Sequence, residues 1–232
     1  MLQEPAGDSG ERLATGLACP LCGTGDPTLY HRDRVRPYWR CRVCALVFVP
    51  PAAWVDAAAE KARYDQHQND PADPRYRQFL ARLADPLIAR VPRGAVGLDF
   101  GSGPGPALGP MLTEAGLRVH LYDVFYAPDQ AVWTRRYDFI TAGEVIEHLH
   151  HPRAELNRLF SALVPGGYLA VMTRWVGDHR AFTRSRYIRD PTHVCFYSAT
   201  TCRWIASRWR ARLELPDANV ALFRTGAVTV TS

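Results

Sequence analysis

A glycine-rich stretch after an apolar run is the feature that most constrains this chain. Residues 96–105 read Val-Gly-Leu-Asp-Phe-Gly-Ser-Gly-Pro-Gly. Apolar residues lead into Asp99, and glycines follow at Gly101, Gly103 and Gly105, a pattern that predicts a buried parallel strand, a tight loop and then a helix. Because glycine has no Cβ, the loop backbone can approach a ligand closely, and the amides of the next helix point toward it. We therefore expect an α/β fold with a site for a nucleotide-like cofactor.

The second predicted strand, residues 118–122, ends in Asp123. A carboxylate at this place can accept hydrogen bonds from both hydroxyls of a ribose. A dinucleotide fingerprint needs its third glycine at the position that Pro106 occupies, so the pattern disfavours a nicotinamide oxidoreductase. Two further strands are predicted over residues 137–144 and 168–173.

Four segments, in this order, resemble the class I S-adenosylmethionine-dependent methyltransferases, especially the branch that contains quinone-ring O-methyltransferases. They are residues 98–105, Asp123, residues 144–148 (Glu-Val-Ile-Glu-His) and residues 163–170 (Leu-Val-Pro-Gly-Gly-Tyr-Leu-Ala). The resemblance covers roughly residues 60–225. It implies a Rossmann-like doubly wound methyltransferase sheet, with S-adenosyl-L-methionine as the methyl donor.

The resemblance also implies which residues hold the donor. The glycine loop would lie against its methionine part, Asp123 would hold the ribose, and residues 142–145 would line the sulfonium side. In this family a tyrosine and its neighbours before the first long helix often close over the cofactor, which adds Tyr64 and His67, with a surface loop as the alternative. The predicted cofactor-binding residues are Tyr64, Asp99, Gly101, Ser102, Gly103, Gly105, Asp123, Val124, Ala142, Gly143 and Glu144.

The connection between Asp123 and the next predicted strand is short. Only residues 124–136 separate Asp123 from Tyr137, whereas the family normally fits a helix and a further strand there. We expect a sheet that is one strand short, with Val124, Phe125 and Tyr126 covering the adenine in place of the usual acidic loop. For the same reason, a non-catalytic zinc-ribbon scaffold that has lost its adenine pocket stays open as an alternative.

Two histidines are candidates for the acceptor side. His148 follows the strand that ends near Glu144, at the sheet edge where open α/β sheets bind ligands, and an imidazole suits a general base at neutral pH. His193 closes the run Arg-Asp-Pro-Thr-His, which resembles the acceptor-side loop of the family. The alternative for each is a structural histidine that fixes its loop. A small-molecule hydroxyl is the first candidate acceptor.

Four cysteines, Cys19, Cys22, Cys41 and Cys44, form two Cys-x-x-Cys knuckles. Their spacing matches four thiolates around one tetrahedral Zn²⁺ ion and predicts a zinc ribbon. Because four thiolates leave no open position, the zinc is predicted to be structural. Disulfides are the alternative, which a reducing compartment disfavours.

The basic residues are almost all arginine. The formal net charge is +5, and Lys61 is the one lysine of the chain. Arginine beside aromatic residues can stack on unpaired bases, so RNA is the second candidate substrate, against the alternative that the aromatic rings only pack the ribbon. The ribbon residues concerned are Tyr30, Arg32, Arg34, Arg36, Tyr38, Trp39, Arg40 and Arg42.

No stretch approaches the roughly twenty apolar residues of a membrane helix, and residues 1–15 lack the apolar region of a signal peptide. We therefore expect a cytoplasmic protein. The predicted organisation is a disordered tail (1–16), a zinc ribbon (17–50), a linker with the N-terminal helices (51–93) and a class I methyltransferase domain (94–232).

Overall fold

A computed structural model describes residues 16–66 and 69–226 of the chain. The strands in these residues are β1 (Thr28–Arg32), β2 (Pro37–Arg40), β3 (Val47–Phe48), β4 (Val96–Phe100), β5 (Arg118–Tyr122), β6 (Tyr137–Gly143), β7 (Leu163–Met172), β8 (Cys195–Phe196), β9 (Arg212–Asp217) and β10 (Val220–Arg224). The α-helices are α1 (Ala57–Tyr64), α2 (Pro74–Ile88), α3 (Leu108–Glu114), α4 (Pro152–Ala162), α5 (His179–Arg184) and α6 (Ala199–Arg208). Most of the predicted tail and His67 lie outside the described residues.

The larger sheet has six strands in the order β5-β4-β6-β7-β10-β9. The first four are parallel, whereas β10 runs antiparallel to both β7 and β9. Alternate residues of β7 point to opposite sides, so that Ala170 packs with helices α2 and α3 while Leu169 packs with α4 and α6. The predicted doubly wound α/β fold is confirmed, and β9 and β10 form a final antiparallel pair.

Strand β5 is an edge of this sheet, and the described residues supply no strand beyond it. The chain between β5 and β6 instead contains a short 3₁₀ helix, Gln130–Thr134. Trp133 from this helix packs edge-on against Tyr122, with ring centroids 5.0 Å apart, and the Arg158 guanidinium lies 3.6 Å from the Trp133 centroid. The prediction of a sheet one strand short is confirmed, and aromatic side chains fill the edge.

The second sheet contains four strands in the order β1-β2-β3-β8. Strands β1 to β3 come from the ribbon, whereas β8 lies far along the chain and pairs with β3 through Val47 opposite Phe196. Phe182 of helix α5 packs edge-on against Tyr38 and Phe196, with centroid distances of 5.4 and 5.3 Å. Buried ribbon residues belong to the same hydrophobic cluster as one face of the large sheet. The ribbon is therefore built into the α/β core.

Helix α6 begins where the sequence predicts. Ser198 is its N-cap, and its side chain accepts a hydrogen bond from the amide of Thr201. Cys195 and Cys202 are buried as expected. Across residues 16–66 and 69–226, none of the helices combines the length and apolarity that crossing a bilayer requires.

Candidate functional site

A cavity of about 630 Å³ opens at the carboxyl ends of β4, β5 and β6. These strands flank the point at which the chain reverses direction across the sheet, where open α/β folds bind their ligands. Gly105 and Ala142 are not on its wall, because Gly105 packs against the Asn69 carbonyl and Ala142 is fully buried within β6. The predicted residues that do line it are Tyr64, Asp99, Gly101, Ser102, Gly103, Asp123, Val124, Gly143, Glu144, His148 and His193.

The glycine loop owes its shape to two positive φ angles. Gly101 has φ of 75° and Gly103 has φ of 68°, values that favour glycine. A Cβ on Gly101 would stand 2.5 Å from the Val145 side chain, whereas a Cβ on Gly103 would meet nothing within 4 Å. Gly101 is therefore required for packing, while Gly103 leaves backbone open to the cavity.

Asp123 at the end of β5 is buried and organises the loops around it. Its Oδ2 accepts a hydrogen bond from the Gly103 amide at 2.9 Å, and its Oδ1 accepts from the amides of Phe125 and Tyr126 at 2.8 and 3.1 Å. A carboxylate offers about four acceptor positions. Three are used by backbone amides, which leaves about one acceptor position. The contact of Asp123 with a ribose stays a prediction, and a fork to both hydroxyls would compete with these amides.

Asp99 lies deeper, at the end of β4. Its Oδ1 accepts a hydrogen bond of 2.8 Å from the Thr141 hydroxyl, and the side chain is buried. Burial raises the pKa of Asp99 to about 6. The residue joins β4 to β6 beneath the glycine loop while still contributing to the cavity wall.

The mouth of the cavity is covered by aromatic residues from two segments. The Tyr64 ring lies 5.9 Å from that of Phe125 and stands perpendicular to His148 at 5.2 Å. The Tyr126 hydroxyl donates a 2.6 Å hydrogen bond to Asp65, just after helix α1. The end of α1 and residues 124–126 thus close over the region where the sequence places the adenine.

The two predicted acceptor-side histidines lie together, with ring centroids 4.6 Å apart. The His148 Nδ1 is 3.2 Å from the Thr192 carbonyl, and the His193 Nδ1 is 2.8 Å from the Tyr187 carbonyl. Since a carbonyl only accepts, each Nδ1 carries a proton. Burial lowers the pKa of His193 to about 4, so this imidazole is neutral at pH 7.

Two glutamates flank these histidines. Glu147 is 0 % exposed, and neither of its carboxylate oxygens completes a hydrogen bond within the described residues. The Tyr187 and Thr173 hydroxyls lie beside it and hydrogen-bond to each other at 2.7 Å, which uses one hydroxyl proton and leaves the other for the carboxylate; both hydroxyls act to lower the pKa of Glu147. Burial raises the pKa of Glu147 to about 7, and burial together with Glu147 raises that of Glu144 to about 8. Glu144 also adopts a left-handed backbone, with φ of 55°.

The loop that carries His193 is held by a buried arginine of the ribbon. The Arg36 guanidinium is 4 % exposed and donates to the carbonyls of Ile188, Asp190 and Pro191 at 2.8, 2.6 and 2.9 Å. Its Nε donates to the Tyr38 hydroxyl at 3.0 Å. Arg36 is therefore a structural clamp and is not available to contact RNA.

The other aromatic ribbon residues proposed for base stacking are also engaged in packing. Tyr38 and Trp39 are 0 % and 3 % exposed, and Tyr30 packs edge-on against Phe182 at 5.2 Å. Of the five ribbon arginines, the exposed ones are Arg32, Arg34, Arg40 and Arg42. The structure thus favours the packing role of these rings over base stacking.

A backbone relay connects the ribbon to the site. The Val49 amide donates to the Val194 carbonyl, and the Val194 amide donates to the Glu147 carbonyl, both at 2.9 Å. Asp190, in the same loop, is paired with Arg63 of α1 at 2.8 Å. Burial alone would raise the pKa of Asp190, but hydrogen bonds from Thr192 and Arg63 outweigh it and hold the pKa below its usual range.

Some residues of the site are not recognisable from the sequence. Tyr187, with its ring 4.1 Å from that of His193, lines the cavity, and so does His150, which stacks on Trp54 at 4.3 Å. A histidine just before a helix is expected at the surface, but His150 is half-buried. Arg186, from the same segment as His193, is exposed and off the cavity wall. The spacing of these residues along the chain does not predict that Tyr187 lies beside His193 or that His150 stacks on Trp54.

The four ribbon cysteines converge on one point. The Sγ atoms of Cys19 and Cys44 are 3.5 Å apart, those of Cys22 and Cys41 are 3.3 Å apart, and all four lie within 4.8 Å of one another. Tetrahedral Zn²⁺ with Zn–S bonds of about 2.3 Å requires a cluster of this size. The donor set therefore fits one tetrahedral ion.

A family model described as a methyltransferase domain matches residues 64–209. The chain belongs to this methyltransferase family. The enzyme class predicted from the sequence, an S-adenosylmethionine-dependent methyltransferase, is confirmed. The matched range contains the glycine loop, Asp123 and both histidines, whereas the four cysteines precede it.

Several solved structures are similar to this methyltransferase. An O-methyltransferase family protein from Burkholderia thailandensis is 14 % identical, with a TM-score of 0.48, over 73 % of this chain and 63 % of that protein. The 1,6-didemethyltoxoflavin-N1-methyltransferase of the same organism, with its substrate and S-adenosylhomocysteine bound, is 16 % identical, with a TM-score of 0.48, over 87 % of this chain and 100 % of that one.

A third similar structure is a putative methyltransferase from Haloferax volcanii in complex with the Trm112 activator. It is 12 % identical, with a TM-score of 0.45, over 68 % of this chain and 96 % of that one. No curated protein matches the sequence. At these identities and TM-scores the likeness says nothing about the acceptor, which must be argued from the site.

Proposed function

We propose that this methyltransferase transfers the methyl group of S-adenosyl-L-methionine to a small-molecule hydroxyl or related nucleophile. The observation that carries the proposal is the cavity that the glycine loop and Asp123 share with His148 and His193. Its volume of about 630 Å³ lies within the range of pockets that enclose small ligands. One enclosed space thus has a donor end and an acceptor end.

The residues of the donor end fit the cofactor. Gly103 presents backbone to the cavity, and Asp123 retains an acceptor position for a ribose hydroxyl. Tyr64, Val124 and Phe125 would enclose the base in place of the missing strand and its acidic loop. When bound, S-adenosyl-L-methionine supplies a methyl group that its sulfonium already activates.

At the acceptor end, the chain's main task is alignment of the nucleophile. His193 has its Nδ1 fixed by a backbone carbonyl and is neutral at pH 7, so its Nε2 can accept a hydrogen bond from an acceptor hydroxyl. His148, whose Nδ1 also lies against a carbonyl, faces the same cavity. Because the His193 imidazole stays neutral down to about pH 4, it is better suited to orient the acceptor hydroxyl through a hydrogen bond than to take up its proton. His148 is the better candidate for a base.

We include a structural Zn²⁺ in the proposal, held by Cys19, Cys22, Cys41 and Cys44, because the geometry of the four Sγ atoms suits it. Four such thiolates persist in a reducing compartment, which supports a cytoplasmic location. The resemblance to the quinone-ring O-methyltransferase branch makes an aromatic hydroxyl the first acceptor to test. RNA is less well supported, because Tyr38 and Trp39 are buried.

Calorimetric titration with S-adenosylhomocysteine tests the donor site. We expect Asp123→Asn to weaken binding about tenfold, because the amide loses the charge-assisted hydrogen bonds to the ribose and to the loop. Asp129→Asn is the matched control, since Asp129 is exposed and off the cavity wall. No binding by the native chain would contradict the proposal.

Transfer of a labelled methyl group tests the acceptor. Phenols, catechols and hydroquinones would be compared with total RNA at several salt concentrations. Turnover of a phenolic compound supports the proposal, whereas turnover of RNA alone, with a steep salt dependence, would favour the RNA alternative.

A further inference from the structure

Helix α4 lines the cavity on the side of the edge strand β5. At its start His151, Glu155 and Arg158 are spaced by four and three residues, so they share one face, and all three line the cavity. The Arg158 guanidinium lies 5.7 Å from the ring centroid of Tyr122, the last residue of β5. This face of α4 is therefore next to Asp123, which is predicted to hold the ribose.

Glu155 is the residue of this face that has no partner in the fold. Its carboxylate makes no hydrogen bond or ion pair within residues 16–66 and 69–226. A glutamate and an arginine three residues apart on a helix commonly pair. Arg158 instead lies 3.6 Å from the Trp133 ring centroid and donates to the Gln130 side-chain oxygen at 3.1 Å. Because the segment between β5 and β6 engages this guanidinium, the half-buried Glu155 carboxylate is left for a ligand in the cavity.

We propose that Glu155 recognises the adenine base of the methyl donor by accepting a hydrogen bond from its exocyclic amino group. The proposal rests on the proposed function, because it requires the donor in the cavity with its ribose at Asp123. Val124 and Phe125 offer apolar and aromatic surface that can cover the flat face of a base. Such contacts do not distinguish one purine from another, whereas a hydrogen bond to the edge of the base does.

The edge of adenine matches a carboxylate. The amino group is the hydrogen-bond donor of this base, and its ring nitrogens are acceptors. An ionised carboxylate only accepts, so it pairs with the amino group. The other carboxylates near the donor end have partners, since Asp123 accepts from three backbone amides and Glu60 accepts from the Tyr64 hydroxyl at 2.7 Å. Glu155 retains all of its acceptor positions.

The contact makes the cavity selective among purines. In hypoxanthine an oxygen replaces the amino group of adenine, so that a donor becomes an acceptor, which a carboxylate repels. A site that hydrogen-bonds a polar group of its ligand strongly rejects an analogue that lacks the group. We therefore expect the native chain to bind S-adenosylhomocysteine about a hundredfold or more tightly than S-inosylhomocysteine.

Calorimetric titration of the full chain, with zinc retained in the ribbon, tests the contact with these two ligands. The amide of Glu155→Gln can accept from an amino group or donate to an oxygen, so the preference for adenine should shrink to less than about tenfold. Affinity for S-adenosylhomocysteine should fall about tenfold in Glu155→Gln and in Glu155→Ala, since both lose the charge-assisted hydrogen bond. Thermal denaturation shows that each variant is folded.

Glu60→Gln is the matched control, because Glu60 is another glutamate of the cavity wall and glutamine can still accept from the Tyr64 hydroxyl. It should keep the preference for adenine. An unchanged preference in Glu155→Gln, or the same loss of preference in Glu60→Gln, would overturn the assignment of Glu155. If the native chain binds both ligands equally well, the assignment fails while the proposed function stands. If it binds neither ligand, the proposed function itself fails, and the assignment fails with it.

Discussion

The two ends of the cavity are built in different ways. At the donor end, one carboxylate, Asp123, is satisfied by the amides of Gly103, Phe125 and Tyr126, all within the first two strand-loop units of the large sheet. At the acceptor end, Glu147 has no completed hydrogen bond in the described part of the chain, and the loop of His193 is held by Arg36 of the ribbon. The donor end is locally determined, whereas the acceptor end depends on contacts between distant segments.

This difference gives the ribbon a role beyond stability. Strand β8 pairs with β3, and the relay from Val49 through Val194 reaches Glu147. The ribbon is therefore part of the structure that positions the acceptor-side residues. Changes in the ribbon should affect methyl transfer more than donor binding.

Loss of the proposed Zn²⁺ ion of the ribbon should have the largest effect. We expect Cys44→Ser to destabilise the ribbon by several kcal/mol, because structural zinc supplies folding energy directly, and to abolish methyl transfer. Binding of S-adenosylhomocysteine, measured by calorimetry, should fall by less than tenfold. Cys202→Ser is the control, since Cys202 is buried but lies outside the four-cysteine cluster. Equal loss of donor binding and methyl transfer would show that the two ends are not separable.

The buried Arg36 clamp should come next. Arg36→Met removes the donors to three carbonyls of residues 188–191, which we expect to cost on the order of 3 kcal/mol. Methyl transfer should fall at least tenfold, with donor affinity little changed. Arg34→Met is the matched control, because Arg34 is exposed. Chemical denaturation and single-turnover assays measure the two effects, and similar behaviour of both variants would contradict the clamp.

Two glycine substitutions probe the donor end. Gly101→Ala places a Cβ 2.5 Å from Val145 at a φ of 75°, so we expect a loss of roughly 2 kcal/mol in the free energy of unfolding. Gly103→Ala meets only the backbone penalty, because nothing lies within 4 Å of its Cβ, but the new methyl group points into open space near the donor. For a given loss of free energy of unfolding, Gly103→Ala should therefore lower the affinity for the donor more than Gly101→Ala does. The reverse order would place the donor elsewhere.

Asp99 should have the smallest effect on methyl transfer, visible mainly as a pH dependence of stability. Burial raises its pKa to about 6 from an unfolded value near 3.8, so the folded chain keeps a proton that the unfolded chain has lost between these values. The free energy of unfolding therefore falls as pH rises from about 4 to 6, by on the order of 2 kcal/mol. Asp99→Asn should make this fall shallower by the contribution of Asp99, while Glu144 and Glu147, whose pKa values are also raised, still contribute to it. Identical pH profiles for the native chain and the variant, in denaturant titrations, would show that Asp99 is not buried as described.

Most of the fold could be predicted because its signals are local. The order of strands and helices, the glycine loop, the N-cap at Ser198 and the missing strand between β5 and β6 all follow from patterns within short windows. The metal-ligand role of the four cysteines can also be predicted locally, since their spacing alone indicates a tetrahedral ligand set. His148 and His193 were identified by their positions after strands and motifs, and the structure brings them together at 4.6 Å.

The sequence by itself determined the class of protein and the donor end, because a glycine loop and a carboxylate act through backbone geometry that residues near in sequence create. Only the tertiary structure decided the roles of Arg36, Glu147 and Tyr187. Arginine in a basic ribbon reads as a surface residue, yet Arg36 donates three hydrogen bonds to carbonyls that come more than a hundred residues later in the chain. Burial and pairing across such separations depend on how the sheets pack, and no local pattern encodes them.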